Sequence, residues 1–141
     1  NQANTDAPVG LGWHPYFVKR ARSRIAFGAT GRWDMGTDKL PTERRTVSGL
    51  DANCAQLDID HCFDGWNGPV HLRDERFHLR IESGLQCLVV YTNDQKDFVC
   101  VEPVSHVNNA MNQSTAQALG VRVLGPGESW SATMSVHIDR V

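Results

Sequence analysis

The chain has 141 residues, of which 40% are hydrophobic and 21% are charged, and its formal net charge is −2. This length suits one ordinary domain, and this composition excludes a disordered chain. The sequence has neither a long basic block nor an apolar run of the ~20 residues that span a bilayer, so we expect no nucleic-acid and no membrane partner. The first residue is Asn1 rather than methionine, in a segment typical of the middle of a protein, which suggests a processed or partial chain.

The cysteines and histidines show no metal-binding spacing. The four cysteines are far apart and none forms a CxxC pair: Cys54, Cys62, Cys87 and Cys100. Because a domain of this size needs no disulfide, free buried thiols in a reducing cytoplasm are the simpler interpretation. The six histidines show no HxH, HxxxH or HExxH spacing. We therefore predict a cytoplasmic protein without a catalytic metal.

Short strands are the main predicted elements of the first two thirds of the chain. Arg24–Phe27 and Val70–Arg73 are short candidates. Phe77–Glu82 alternates apolar and polar residues, as a half-buried strand does. Ser83–Gly84 follows as a tight turn, and the apolar run Leu85–Thr92 comes next. Together the last two runs predict a β-hairpin.

The last third of the chain continues the same pattern. Phe98–Glu102 is an apolar strand that we expect to end at Pro103. The polar stretch 109–118 is the best helical candidate, and it is weak. Strands follow at 121–124 and at 129–138, where alternating apolar residues indicate one buried face. Many short strands with Gly and Pro turns predict an all-β fold, an antiparallel β-sandwich.

Two titratable residues stand out because each immediately precedes a proline, which restricts its backbone to extended conformations. His14 can give or take a proton near neutral pH, although a structural histidine bonded to the backbone is the alternative. Strand alternation places Glu102 on the same face as Cys100, with Val99 and Val101 on the opposite face. Partial burial of this carboxylate would raise its pKa and make it a better base; the alternative is a glutamate that emerges into solvent.

Four other residues are candidate ligands of a sugar. The carboxylate of Asp60 could accept hydrogen bonds from hydroxyl groups, or serve a turn or cap. Trp66, between two glycines, could offer a flat face to a sugar ring, or pack in the core. His106 and Asn108 lie in a loop rich in neutral donors and acceptors, which could equally be an ordinary polar loop. All these candidates belong to segments that we expect to be loops on a rigid sheet.

The candidate residues occur in motifs that together resemble the aldose 1-epimerase (galactose mutarotase) family. The motifs are Gly12–Phe17, Leu40–Thr42, Asp60–Phe63, Val101–Pro103 with the Asn-rich loop that follows, and Gly125–Ser129. They occur in the family's order and cover nearly the whole chain. Each motif alone is weak, but the ordered set is fairly specific.

The resemblance implies a galactose mutarotase-like β-supersandwich that interconverts the α and β anomers of a monosaccharide without a cofactor. It implies that Glu102 is the general base, His14 the general acid and Asp60 a ligand of a sugar hydroxyl. Family members are considerably longer, and their first half supplies another histidine and an arginine, which nothing here matches. Residues 1–141 would then be a single β-sandwich domain from the C-terminal part of a larger epimerase. We expect this domain to self-associate as a homo-oligomer or to bind a missing N-terminal half, since its sheet edges need a partner.

Two other functions stay open from the sequence. The same pocket could hold carbohydrate without turnover, as a non-catalytic binding domain. A sugar-phosphate epimerase would need an arginine cluster at the pocket. The sequence alone does not place the candidate arginines, which are Arg20, Arg22, Arg24, Arg44 and Arg45.

Overall fold

Thirteen short strands in three antiparallel sheets make up the computed structural model, which describes residues 1–141. The strands are β1 (Ala7–Val9), β2 (Tyr16–Val18), β3 (Arg24–Phe27), β4 (Gly31–Met35), β5 (Pro41–Thr46), β6 (Leu50–Asn53), β7 (Ile59–Asp64), β8 (Val70–Arg73), β9 (Phe77–Ser83), β10 (Cys87–Thr92), β11 (Phe98–Val104), β12 (Arg122–Leu124) and β13 (Met134–Arg140). The helical segments are two 3-10 turns, Cys54–Gln56 and Ala110–Asn112. No helix is long and apolar enough to cross a membrane.

The main core lies between two sheets. A six-stranded sheet, in the order β2-β11-β10-β7-β4-β5, packs against a five-stranded sheet, in the order β13-β9-β8-β3-β6. Phe27 of β3 meets Phe63 of β7 edge to face, with ring centroids 4.9 Å apart. Val99 and Val101 of β11 point into this core, as alternation predicts. This arrangement confirms the antiparallel sandwich and leaves the other face of the six-stranded sheet free to build a site.

The prediction that Phe77–Glu82 and Leu85–Thr92 form a β-hairpin is wrong. β9 pairs with β8 and β13 in the five-stranded sheet, whereas β10 pairs with β7 and β11 in the six-stranded sheet. The connection through Ser83 and Gly84 therefore crosses from one sheet to the other. The first four residues of β10 are all buried, which is typical of a central strand with sheet neighbours on both sides.

The prediction that β11 ends at Pro103 is also wrong, because the strand continues to Val104. The carbonyl of Pro103 accepts a hydrogen bond from the Trp13 amide at 3.1 Å, so the backbone of this residue faces the segment before β2 rather than β10. In an antiparallel ladder the missing N–H of a proline is harmless on such a side. Glu102, which precedes Pro103, is thus held inside the strand.

Two further elements differ from expectation. Of the helical candidate 109–118, only the 3-10 turn Ala110–Asn112 is helical, and turns follow it. The last strand begins at Met134 rather than at 129, and its predicted buried face is largely exposed: Val136 is 37% and Ile138 is 62% exposed. β13 is an edge strand, and of its apolar side chains only Met134 packs against the main core.

The four cysteines are free and buried, as expected. Cys54 lies in the main core. Cys62 and Cys87 belong to a smaller cluster with Val89 and Val107, on the opposite face of the six-stranded sheet. This smaller cluster supports the loop that follows β11, because Val107 belongs to that loop.

Candidate active site

The candidate site lies on the face of the six-stranded sheet that points away from the main core. In the strand register, Glu102 of β11 is aligned with Val89 of β10, and Cys100 is aligned with Tyr91. Tyr91 is in turn aligned with Asp60 of β7. Asp60 and Glu102 therefore share one face, two strands and about 10 Å apart across the sheet. We call the sheet surface between these two carboxylates, which carries Val89 and Tyr91, the trough.

A close backbone contact brings His14 to this trough. Gly12 forms an isolated β-bridge with Val104, and the neighbouring Trp13 amide donates to the Pro103 carbonyl. A Cβ on Gly12 would lie 2.8 Å from Val104 Cγ1 and 3.1 Å from the Pro103 carbonyl oxygen. The approach is thus possible because position 12 has no side chain. Pro15 follows His14, and the extended chain then enters β2 beside β11.

His14 and Glu102, the predicted acid and base, are in direct contact. His14 Nε2 lies 3.2 Å from Glu102 Oε1. The His14 side chain is 56% exposed, whereas that of Glu102 is 11% exposed. The imidazole stacks on the ring of Tyr16, with centroids 4.8 Å apart and planes inclined by 19°. A solvent-facing imidazole is therefore held over a carboxylate at the base of the trough.

Burial raises the pKa of Glu102, because the surrounding protein disfavours its charged form. The positive charge that His14 can carry opposes this shift, and the negative charge of Asp60 adds to the elevation of the pKa. Burial, with a smaller contribution from Glu102, also raises the pKa of the neighbouring Cys100 thiol to about 11. A carboxylate with an elevated pKa is a stronger base than an exposed one.

Asp60 lies on strand β7, not on a loop as expected from the sequence. Its carboxylate accepts a hydrogen bond from the Lys39 ammonium at 3.2 Å. Lys39 belongs to the turn between β4 and β5 and has a positive φ of 64°. The left-handed backbone at this turn is uncommon for a residue with a side chain. No sequence pattern indicated that Lys39 would reach the candidate sugar ligand.

His106 and Asn108 lie beside Glu102. Together with Glu102 they line a cavity of about 410 Å³, which is within the usual range of small-molecule sites. His106 Nδ1 lies 2.8 Å from the carbonyl oxygen of Val107, so this nitrogen is the donor. A Cβ on Gly10 would lie 2.3 Å from His106 Nε2, which shows how closely the opposite loop approaches.

Comparisons with known proteins assign the chain to a family. The sequence profile of the family described as aldose 1-epimerase matches residues 1–137, nearly the whole chain. The chain belongs to the aldose 1-epimerase family. The uncharacterized protein YphB of Escherichia coli K12 is 28% identical over 156 residues, which cover 99% of this chain and 53% of YphB.

Solved structures show the same fold. A candidate aldose 1-epimerase of Escherichia coli K12 superposes with a TM-score of 0.88 at 26% identity, covering 100% of this chain and 54% of that chain. The Slr1438 protein of Synechocystis sp. PCC 6803 gives 0.78 at 25% identity, covering 98% and 47%. A galactose mutarotase-like protein of Clostridium acetobutylicum gives 0.82 at 19% identity, covering 100% and 50%. This epimerase-family chain thus spans about half of the length of the relatives it matches.

Trp66 is the candidate that the structure does not bring to this epimerase-family site. Its ring is 3% exposed and belongs to the main core, and its indole nitrogen is buried without a hydrogen-bond partner. A ring enclosed in this way has no face free for a sugar. The flanking glycines suggested an accessible ring, but they do not determine on which side of the sheet the side chain points.

All but one of the arginines that a sugar-phosphate site would need are engaged elsewhere; the exception, Arg22, is exposed. Four of them form ion pairs with aspartates: Arg20 with Asp74, Arg24 with Asp51, Arg44 with Asp64 and Arg45 with Asp34. The Arg44 guanidinium donates through two nitrogens to its partner, whose pKa is lowered chiefly by that hydrogen bond. None of these pairs includes either member of the acid–base pair.

Proposed function

We propose that this chain carries the acid–base pair of an aldose 1-epimerase, which interconverts the α and β anomers of a free sugar. The observation that carries the proposal is the 3.2 Å approach of His14 Nε2 to Glu102 Oε1 on an open sheet face. Mutarotation needs two proton transfers at oxygens bonded to the same carbon, so a base and an acid must lie next to each other. Family membership and the cavity beside Glu102 support the same reaction.

In the proposed reaction, Glu102 accepts the proton of the anomeric hydroxyl. The C1–O5 bond breaks, its electron pair goes to O5, and O5 takes a proton from the imidazolium of His14. The product is the open-chain aldehyde and a neutral histidine. After rotation about the C1–C2 bond the same steps run in reverse, and the ring closes on the other face of C1. Each positioned proton transfer contributes about 10²–10⁴-fold.

The remaining residues of the trough would bind the sugar. The carboxylate of Asp60 can accept hydrogen bonds from sugar hydroxyls, as can the side-chain oxygen of Asn108. The Nε2 of His106 can also accept one, because the proton of this ring is on Nδ1, while the side-chain nitrogen of Asn108 can donate. Lys39 holds Asp60 in place through its ion pair. No redox or group-transfer step is needed, since the substrate and product are isomers. The sugar itself supplies both oxygens that exchange protons.

The test is anomer exchange of D-galactose and D-glucose, measured by NMR exchange spectroscopy on the complete gene product that carries this chain. We expect Glu102→Gln and His14→Asn each to lower the exchange rate by about 10²–10⁴-fold. The chain offers a matched control in His137 and Glu82, another histidine–carboxylate pair at 3.5 Å on the five-stranded sheet. His137→Asn and Glu82→Gln should exchange at the wild-type rate.

Two results would contradict the proposal. Exchange no faster than in buffer would exclude an epimerase, and saturation-transfer signals from bound sugar without exchange would indicate a binding domain instead. An equal loss of rate in the control pair and in the His14–Glu102 pair would show that the substitutions act through folding rather than through chemistry.

A further inference from the structure

Three donors of different chemistry converge at the proposed acid–base pair. An imidazole nitrogen of His14, the Cys100 sulfur and a carboxylate oxygen of Glu102 all lie within 4.8 Å of one another. Nitrogen, sulfur and oxygen donors of this kind are the ligands that Zn²⁺ uses in proteins. The distance of 3.2 Å between His14 Nε2 and Glu102 Oε1 is close to the ~3.3 Å that separates two such ligands on a tetrahedral zinc ion.

The backbone fixes two of these donors on one rigid element. Cys100 and Glu102 alternate along β11, which pairs with β10 from Cys100 to Val104 and with β2 from Phe98 to Cys100. The third donor lies just after Trp13, whose amide is bonded to β11. His14 is the exposed member, so rotation of its ring gives access to the thiol beneath it. A small rotation of the His14 ring would bring all three donors into contact with one cation.

We propose that His14, Cys100 and Glu102 form a binding site for Zn²⁺ or a similar thiophilic divalent cation, and that its occupation switches off the acid–base pair. The cation replaces the thiol proton, which leaves to solvent, and a water molecule completes four-coordination. Inhibition, though not binding, rests on the proposed function. The metal would occupy the lone pairs that His14 and Glu102 need for proton transfer.

Other potential metal ligands in the chain require control variants. His71 Nδ1 and His78 Nε2 lie 3.0 Å apart on neighbouring strands of the five-stranded sheet, and such a pair can also take up metal. Cys54 is a buried thiol of the main core, without neighbouring nitrogen or carboxylate ligands in a cluster. These residues supply one matched nitrogen control and one matched sulfur control.

Binding is tested by titrating the metal-free protein with CdCl₂ and following the ultraviolet cadmium–thiolate charge-transfer absorption. We expect one Cd²⁺ per chain, loss of the band in Cys100→Ala, and at least ~10-fold weaker binding in His14→Asn and Glu102→Gln. Cys54→Ala and His78→Gln should keep both the band and the affinity. A band that persists in Cys100→Ala, or an affinity that His14→Asn leaves unchanged, overturns the site. His14 is exposed, so that variant stays informative even where Cys100→Ala does not fold.

Inhibition is tested by measuring anomer exchange against ZnCl₂ concentration, with each variant compared with its own metal-free rate. We expect zinc to abolish exchange by the wild-type protein, EDTA to restore it, and His78→Gln to respond like the wild type. Exchange that stays constant when the site is saturated overturns the switch. If the metal-free protein shows no exchange, the proposed function fails while the cadmium titration still decides the site.

Discussion

Gly12 offers a test that separates positioning from chemistry, because it has no side chain to take part in proton transfer yet sets where His14 stands. In Gly12→Ala the new Cβ would lie 2.8 Å from Val104 Cγ1, whereas ordinary contact begins at 3.4 Å. The segment must therefore move by about 0.6 Å, since the Pro103 carbonyl on the same side is fixed in a strand. We expect kcat/KM for anomer exchange to fall about 10- to 100-fold, because a displacement of ~1 Å can cost 10²-fold.

The effect of Gly12→Ala on folding should be small. Overpacking costs about 1–3 kcal/mol, which thermal denaturation measures on the same sample. Gly84→Ala is the matched control, because a Cβ at Gly84 meets nothing within 4 Å. If Gly12→Ala exchanges anomers at the wild-type rate, the close approach to β11 does not position the acid. An equal loss of rate in Gly84→Ala would point to a general effect of added methyl groups.

Three further predictions follow from the same geometry. The raised pKa of Glu102 means that the wild-type fold loses stability as pH rises from the ordinary value of 4.5 through the elevated one. Urea denaturation at increasing pH should therefore show Glu102→Gln gaining stability relative to the wild type as pH rises above 4.5, with no gain below that pH. Asp60→Asn should raise KM about 10-fold and move the acid limb of the kcat/KM profile to lower pH, since it removes a negative charge that raises the pKa of Glu102. An unmoved limb would exclude that coupling. Ile138→Lys should weaken self-association of the chain at least ~10-fold in sedimentation experiments, because it places a charge on an exposed apolar edge strand. A wild-type chain that sediments as a monomer would overturn this expectation.

The candidate acid and base could be singled out from the sequence because each lies in a short local motif. A residue before proline is restricted by its immediate neighbour, and strand alternation assigns a face without knowledge of the fold. Alternation alone placed Cys100 on the same face as Glu102, so the sequence already indicated that these two ligands of the proposed metal site lie together. It could not show that His14 joins them, because that contact depends on a β-bridge between distant segments.

Sheet partners could not be predicted for a related reason. Phe77–Glu82 and the following strand are correctly placed, but alternation reports which face of a strand is buried and not which strand lies beside it. A short turn can join two strands of one sheet or lead from one sheet to the other. Lys39 was missed because its contact with Asp60 depends on how far a turn of one hairpin extends over a neighbouring strand.

The contact that positions His14, the candidate acid, joins two segments that are far apart in the sequence. The Leu11 amide donates to the Ser105 hydroxyl at 3.0 Å across 94 positions of chain. Loop closure over such a distance is slow compared with the formation of neighbouring strand pairs. A partly assembled molecule can thus bury Trp66 while His14 is still separated from Glu102. Turnover of sugar would therefore register only those molecules in which refolding has run to completion.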